Sequence, residues 1–110
     1  MSAKLDIYRE GTKLKDEKNY EGAIEKFIKV REIDPTDIFS MHAQVQCLTE
    51  LGRHPEAIDL AKKIVELDAN DYFSYIALSR ALQRAGMIPE AEYAMMQGQQ
   101  VQMRAAAAKK

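Results

Sequence analysis

The chain has 110 residues, a length typical of one small domain. Apolar residues make up 46% of it and charged residues 30%, and 16 basic against 17 acidic side chains leave a formal net charge of -1. This profile predicts a folded chain rather than a disordered one. It also argues against nucleic-acid binding, which requires a basic surface to neutralise phosphates.

The cysteine content and the hydropathy pattern exclude further classes of protein. Cys47 is the only cysteine, which rules out a disulfide framework and a cysteine-rich zinc site. The opening sequence MSAKLDIYREG lacks the apolar core of a signal peptide, and no apolar run reaches the length of a membrane span. We therefore expect a cytoplasmic protein without direct membrane insertion.

Apolar spacing along the chain predicts helices. The series Ala23, Ile24, Phe27 and Ile28 follows a period of about 3.6 residues rather than the strand period of 2. Turn-forming sequences interrupt the pattern at KNYEG, DPTD, LGRHP, DANDY and AGMIP, in that order. Six helical segments of ordinary length are therefore predicted in succession.

Residue types at the predicted helix starts agree with this division. Asp37 and Asp71 stand where an N-cap side chain accepts hydrogen bonds from the free amides of a first turn. Pro55 and Pro89 suit the first helical position, where the missing N–H is not needed.

The chain aligns with itself after a shift of 34 residues. The sequence EIDPTDIFS matches ELDANDYFS, so that Phe39 is equivalent to Phe73. Other positions 34 residues apart also carry identical residues. These sets are Leu14, Leu48 and Leu82; Ala23, Ala57 and Ala91; Gly52 and Gly86. A period of this length with two helices per unit predicts a solenoid of helical hairpins.

These residues resemble the tetratricopeptide repeat family. The predicted units are residues 4–37, 38–71 and 72–105, and residues 106–110 would extend the last helix. The first unit carries the family's signature residues at Gly11, Leu14, Tyr20, Ala23, Phe27 and Pro35. The resemblance implies an all-α fold, a right-handed superhelix of three hairpins forming a single domain, whose first helices line a concave groove.

The last unit departs from the first two on its outer surface. Ile24 and Ile58 are expected to pack on the following unit, whereas Glu92 occupies the equivalent position in the third unit. A polar outer face is typical of a terminal repeat, which favours self-termination of the array. The alternative is a fragment boundary at which Met95, Met96, Val101 and Met103 await a partner.

No constellation of residues points to catalysis, a cofactor or a metal. The repeat places His42 on a first helix and His54 at a turn, too far apart in the fold for a shared site. Cys47 has no adjacent base, so a small buried thiol is expected. We predict a protein that is not an enzyme.

The resemblance assigns the candidate site to exposed positions on the first helices. The predicted groove residues are Leu5, Tyr8, Thr12, Phe39, His42, Gln46, Phe73, Ile76, Arg80, Gln83 and Arg84. Two alternatives remain open: Phe39 and Phe73 could instead pack between helices, and the two arginines could pair with Glu50 or a neighbouring carboxylate. By contrast, Tyr75 is predicted to lie inside its own hairpin.

One subfamily of tetratricopeptide domains grips the C-terminal carboxylates of heat-shock chaperones with lysine, arginine and asparagine. The matching positions carry none of the required residues: Tyr8, Thr12, Ala43, Phe73 and Ala77. We therefore predict no dicarboxylate clamp. The predicted function is an adaptor or scaffold that binds a peptide segment of a partner protein in the groove. The alternative is self-association as a homo-oligomer through the groove or the methionine-rich last helix.

Overall fold

The computed structural model describes residues 2–109. Within that range the chain is all-α, as predicted, with six helices and no strand. The helices are α1 (Ala3–Asp16), α2 (Tyr20–Ile33), α3 (Ile38–Glu50), α4 (His54–Leu67), α5 (Tyr72–Arg84) and α6 (Ile88–Ala108). Helix α6 thus continues through most of the predicted tail, whose last residue, 110, lies outside the described part.

The helices form a short solenoid of antiparallel hairpins. Each helix packs on the next in the chain, and the first helices of successive hairpins, α1 with α3 and α3 with α5, also meet. The assembly measures 41 × 34 × 20 Å. Contacts join only neighbouring units. Within the described residues, no further helix therefore covers the surface formed by α1, α3 and α5.

The turn inside each hairpin repeats the same hydrogen-bonded closure. The amides of Asn19 and Arg53 donate to the carbonyls of Leu14 and Leu48 at 2.8 and 2.9 Å, and the amide of Met87 donates to Leu82 at 2.9 Å. This pattern is the Schellman motif, which requires one left-handed residue after the helix.

Glycine supplies that left-handed residue in two of the three hairpins. Gly52 and Gly86 have φ of 75° and 81°, whereas Lys18 takes the same place in the first hairpin with φ 64°. A Cβ at either glycine would meet nothing within 4 Å, so the backbone angle, not space, selects glycine there.

Both predicted aspartate caps are confirmed. Asp37 Oδ1 accepts from the amides of Phe39 and Ser40 at 3.1 and 3.4 Å, and Asp71 Oδ1 accepts from Phe73 at 3.0 Å. The helices containing Pro55 and Pro89 each begin one residue earlier than predicted, at His54 and Ile88. The prolines therefore occupy the second helical position, where the N–H also lacks an intrahelical partner.

The core of the first hairpin depends on the close approach of two helices. Phe27 is fully buried, and a Cβ on Gly11 would lie only 2.8 Å from its Cε1 atom. The Tyr8 ring packs on the same side chain, with ring centroids 5.5 Å apart. The repeated alanines Ala23 and Ala57 are fully buried, so a larger side chain at either position is expected to overpack the core.

The third hairpin uses different residues for the same approach. Ser79 stands where the first hairpin has Gly11, and its hydroxyl donates to the carbonyl of Ala91 at 2.8 Å. Tyr75 is buried as predicted, and its hydroxyl donates to the carbonyl of Ala69 at 2.8 Å. A Cβ at Gly98 would come within 2.9 Å of the Tyr75 Cβ, so α6 needs glycine at this contact.

The outer surface of the last helix is mixed in polarity. Ile24 and Ile58 are buried in the core, whereas Glu92 and Gln99 are exposed. On α6 the large apolar side chains that are more than half exposed are Tyr93, Met96 and Met103. The polar substitution noted in the sequence is therefore present, but exposed apolar groups lie on the same helix.

Candidate functional site

A groove lies between α3 and α5 and encloses about 790 Å³. These are the first helices of consecutive hairpins, so their outward faces are uncovered. The turn before α5 contributes Asp68 and Asp71 to one end of the groove. The walls contain exposed aromatic rings, amide side chains and two arginines, whereas parts of the floor are small and apolar.

The structure brings eight of the eleven predicted site residues into this groove. They are Phe39, His42, Gln46, Phe73, Ile76, Arg80, Gln83 and Arg84. The other three, Leu5, Tyr8 and Thr12, line a separate depression of about 560 Å³ along α1. The α1 residues thus lie outside the depression between α3 and α5, and their part in a common binding surface stays a prediction.

Local contacts explain why the α1 side chains do not join the groove. The ring of Tyr8 turns toward Phe27, and the Thr12 hydroxyl donates to the Tyr8 carbonyl at 3.1 Å within its own helix. Lys15 of α1 spans the space to α3, where its Nζ donates to the Gln46 Oε1 at 3.0 Å. Gln46 itself lines the groove between α3 and α5.

The two repeated phenylalanines are exposed. Phe39 is 75% exposed and Phe73 68% exposed, so the alternative that they pack between helices is wrong for both. The amide of each residue is held by an aspartate cap, at 3.1 Å for Phe39 and 3.0 Å for Phe73. Both rings are therefore carried on ordered helix starts rather than on loops.

The two arginines of the groove differ in their partners. Arg84 Nη1 lies 3.3 Å from Glu50 Oε1, so the predicted alternative of a pair with Glu50 holds for Arg84. Within residues 2–109, Arg80 has no carboxylate oxygen within 4.0 Å, the limit that defines an ion pair. Arg80 is exposed and lines the groove.

Burial sets the protonation of the titratable groups near the groove. It lowers the pKa of His42, while the negative charges of Asp71 and Asp68 partly oppose this shift. The imidazole is therefore neutral at pH 7. Burial likewise raises the pKa of the Cys47 thiol, which is fully buried and stays protonated. The predicted buried thiol is confirmed.

Sequence reasoning missed several groove residues. Ala77 and Ala81 line the groove beside the predicted positions. Asp68 also lines it but belongs to a turn, whereas the predicted residues were all on first helices. One signal pointed to Asp68: the repeat makes it equivalent to Asp34, a charged residue near the start of a first helix. In the first unit Asp34 accepts from Lys4 Nζ at 3.2 Å.

Two kinds of feature are missing from the part of the chain that the structure describes. Residues 2–109 contain no group of three or more His, Cys, Asp or Glu side chains placed to hold a metal ion. None of the six helices in that range combines the length and the hydrophobicity needed to cross a membrane.

The six helices form an all-α helical-repeat fold, and their arrangement fits a tetratricopeptide-like fold. No protein-family model matches the chain, and no curated protein is significantly similar to it. Among solved structures, a MamA structure, MamA MSR-1, aligns with 24% identity and a TM-score of 0.75 over 86% of this chain and 55% of that one. Another MamA crystal structure aligns with 14% identity and a TM-score of 0.83 over 94% and 61% of the two chains.

A similar fold is found in SycD, a type III secretion translocator chaperone of Yersinia enterocolitica. It aligns with 18% identity and a TM-score of 0.82 over 89% of this chain and 73% of the SycD chain. At these identities the likeness establishes the fold. The chain spans little more than half the length of the MamA structures it matches.

Proposed function

We propose that this chain is a non-enzymatic protein-interaction module with three tetratricopeptide repeats, at residues 4–37, 38–71 and 72–105. It binds an extended segment of a partner protein in the groove between α3 and α5, as an adaptor or scaffold does. The observation that carries this proposal is the exposure of Phe39 and Phe73, 75% and 68%, in one concave surface.

The chemistry of the groove supports a peptide as its occupant. Aromatic residues supply much of the affinity at protein interfaces, because a large apolar area is buried with little loss of side-chain freedom. Amides such as Gln83 and cations such as Arg80 can bond to a backbone or a polar side chain and so fix the register. Ala43 and Ala77 stand at positions where a dicarboxylate clamp would carry a cation or an amide. We therefore propose that the groove does not bind its ligand through a C-terminal carboxylate.

The structural neighbours give limited support to the same class of function. SycD is described as a type III secretion translocator chaperone. Because its identity to this chain is 18%, it supports an interaction role and says nothing about which partner this chain binds.

The double variant Phe39→Ala, Phe73→Ala tests the groove. Peptides selected from a random-peptide phage library on the wild-type chain are expected to bind the variant at least about tenfold more weakly, since two exposed aromatic anchors are removed. Circular dichroism is expected to show an unchanged helix content, because neither ring is buried. Calorimetry with the synthesised peptides measures the affinity.

A matched control is the double variant Ile33→Ala, Leu67→Ala. These residues are also equivalent in the repeat and are 52% and 51% exposed, but they lie outside the groove. The control is expected to bind the selected peptides as the wild type does. If the phenylalanine variant kept full affinity, the groove assignment would be wrong.

A second candidate function, self-association, is favoured by the exposed side chains of α6. The side chains of Tyr93, Met96 and Met103 are 63%, 55% and 70% exposed. The repeat makes Tyr93 equivalent to Asp59 and Met96 equivalent to Lys62, so two charged positions of the preceding unit are apolar here. A second copy of the chain could cover this apolar surface.

Light scattering across a concentration series tests this second candidate. Self-association predicts a mass that rises with concentration in the wild type and stays monomeric in the variant Tyr93→Lys, Met96→Lys, since two buried charges would oppose the interface. The variant Asp59→Lys, Lys62→Glu changes charges at the equivalent positions of α4 and serves as its control. A strictly monomeric wild type at all concentrations would exclude this candidate.

A further inference from the structure

Resting on the proposed function, we propose that the groove selects partner segments that carry an acidic residue two or three positions from an apolar residue. Arg80 is the residue that determines this specificity. It binds the carboxylate of the acidic residue, while Ile76 and the exposed rings of Phe39 and Phe73 contact the apolar one.

The first observation behind this inference is the state of the two groove arginines. Arg84 is already compensated, because Glu50 Oε1 lies 3.3 Å from its Nη1. Arg80 has no such partner among residues 2–109 and is exposed in the same groove. A guanidinium presents a planar set of donors that matches a carboxylate, and this makes arginine a selective ligand for acidic groups. The compensated pair leaves Arg80 as the cation available to a partner.

The second observation is the charge asymmetry of the groove. Asp68 and Asp71 lie at the end where α5 begins, whereas Arg80 and Arg84 lie on its last two turns. His42, which lies near both aspartates, is neutral at pH 7 because burial lowers its pKa. An acidic ligand residue is therefore repelled at the aspartate end and attracted at the Arg80 end. Attraction at one position combined with repulsion at another sets the register of the bound segment.

Helix geometry supplies the spacing. Along α5, Ile76 lies three residues after Phe73 and Arg80 lies seven residues after it. The three side chains therefore share one face of the helix. At 1.5 Å per residue, Arg80 lies about 6 Å along the axis from Ile76 and about 10 Å from Phe73. A segment in extended or polyproline conformation rises roughly 3.1–3.4 Å per residue. These separations correspond to about two and three residues of such a segment.

Selection from a random-peptide phage library on the full wild-type chain tests the inference. The enriched sequences are expected to carry Asp or Glu two or three positions from a large apolar residue. In a synthetic peptide of enriched sequence, replacing that acid with its amide is expected to weaken binding to the wild type at least about tenfold, the lower end of what one hydrogen bond to a charged group contributes. Fluorescence anisotropy at two salt concentrations measures the affinities.

Variants of the two arginines show which cation is responsible. In Arg80→Gln, the acidic peptide and its amide are expected to bind equally, whereas Arg84→Gln, the matched control, keeps the preference for the acid. The charge reversal Arg80→Glu is expected to favour a peptide with lysine at the acidic position. Because Arg80 is exposed and makes no ion pair among residues 2–109, both Arg80 variants are expected to fold as the wild type does. Arg84→Gln removes only an exposed ion pair and is expected to fold as well.

The outcomes separate this inference from the function on which it rests. Peptides that require Phe39 and Phe73 but show no preference for an acidic residue would overturn the inference and leave the proposed groove binding intact. A preference for acid that persists in Arg80→Gln would overturn the assignment to Arg80. If no selected peptide depended on the two phenylalanines, both proposals would be wrong.

Discussion

Replacing Phe27 with alanine is expected to lower the free energy of unfolding by about 3–5 kcal/mol. The side chain is fully buried, packs against the Tyr8 ring and fills the space left by Gly11. Truncation removes that apolar surface and leaves a cavity that the surrounding structure closes only in part. A loss of this size is a large part of the stability of a small domain.

Urea denaturation monitored by circular dichroism measures the change. The matched control is Phe39→Ala, the same substitution at a ring that is 75% exposed, which is expected to change stability by no more than about 0.5 kcal/mol. If the two variants lost equal stability, burial of Phe27 would not be the source of the effect.

Replacing Ala57 with leucine is expected to cost about 1–3 kcal/mol through overpacking. Ala57 is fully buried in the central hairpin, at the position that the repeat also gives to Ala23 and Ala91. A larger side chain there must displace the neighbouring helix or adopt a strained rotamer, and contacts on both sides of the central hairpin would shift with it.

The control for this variant is Lys62→Leu on the exposed face of the same helix. Lysine and leucine have similar helix propensity, so this change is expected to leave stability within about 0.5 kcal/mol. The same denaturation experiment compares both variants. Equal stability of Ala57→Leu and the wild type would show that the alanine contact has spare volume.

Local sequence signals were sufficient for the helices and their ends. The period of the apolar residues, the aspartate caps and the glycine turns each depend on residues within a few positions of one another. For this reason the six helices and the caps at Asp37 and Asp71 could be predicted. The one-residue difference at Pro55 and Pro89 has a local cause as well, since proline is accepted at either of the first two helical positions.

The candidate site was less predictable because it depends on which side chains find partners on other helices. Repeat spacing indicated that Phe39 and Phe73 belong to the first-helix surface, but their exposure depends on the distance between α3 and α5. Arg80 and Arg84 occupy neighbouring turns of one helix. The repeat makes Gln46 equivalent to Arg80 and Glu50 equivalent to Arg84, which favours Arg84 for the pair, but whether the side chains meet depends on the distance between α3 and α5. Glu50, on another hairpin, forms an ion pair with Arg84 and so compensates its positive charge. Arg80 has no such pair among residues 2–109 and can bind a carboxylate of a partner.

The sequence by itself determined the repeat of 34 residues and the all-α class. These follow from periodicity, which is a property of the chain taken a few turns at a time. Only the tertiary structure decided that Leu5, Tyr8 and Thr12 lie outside the groove between α3 and α5. The physical reason is that a groove is defined by the spacing of helices and by long side chains that reach between them.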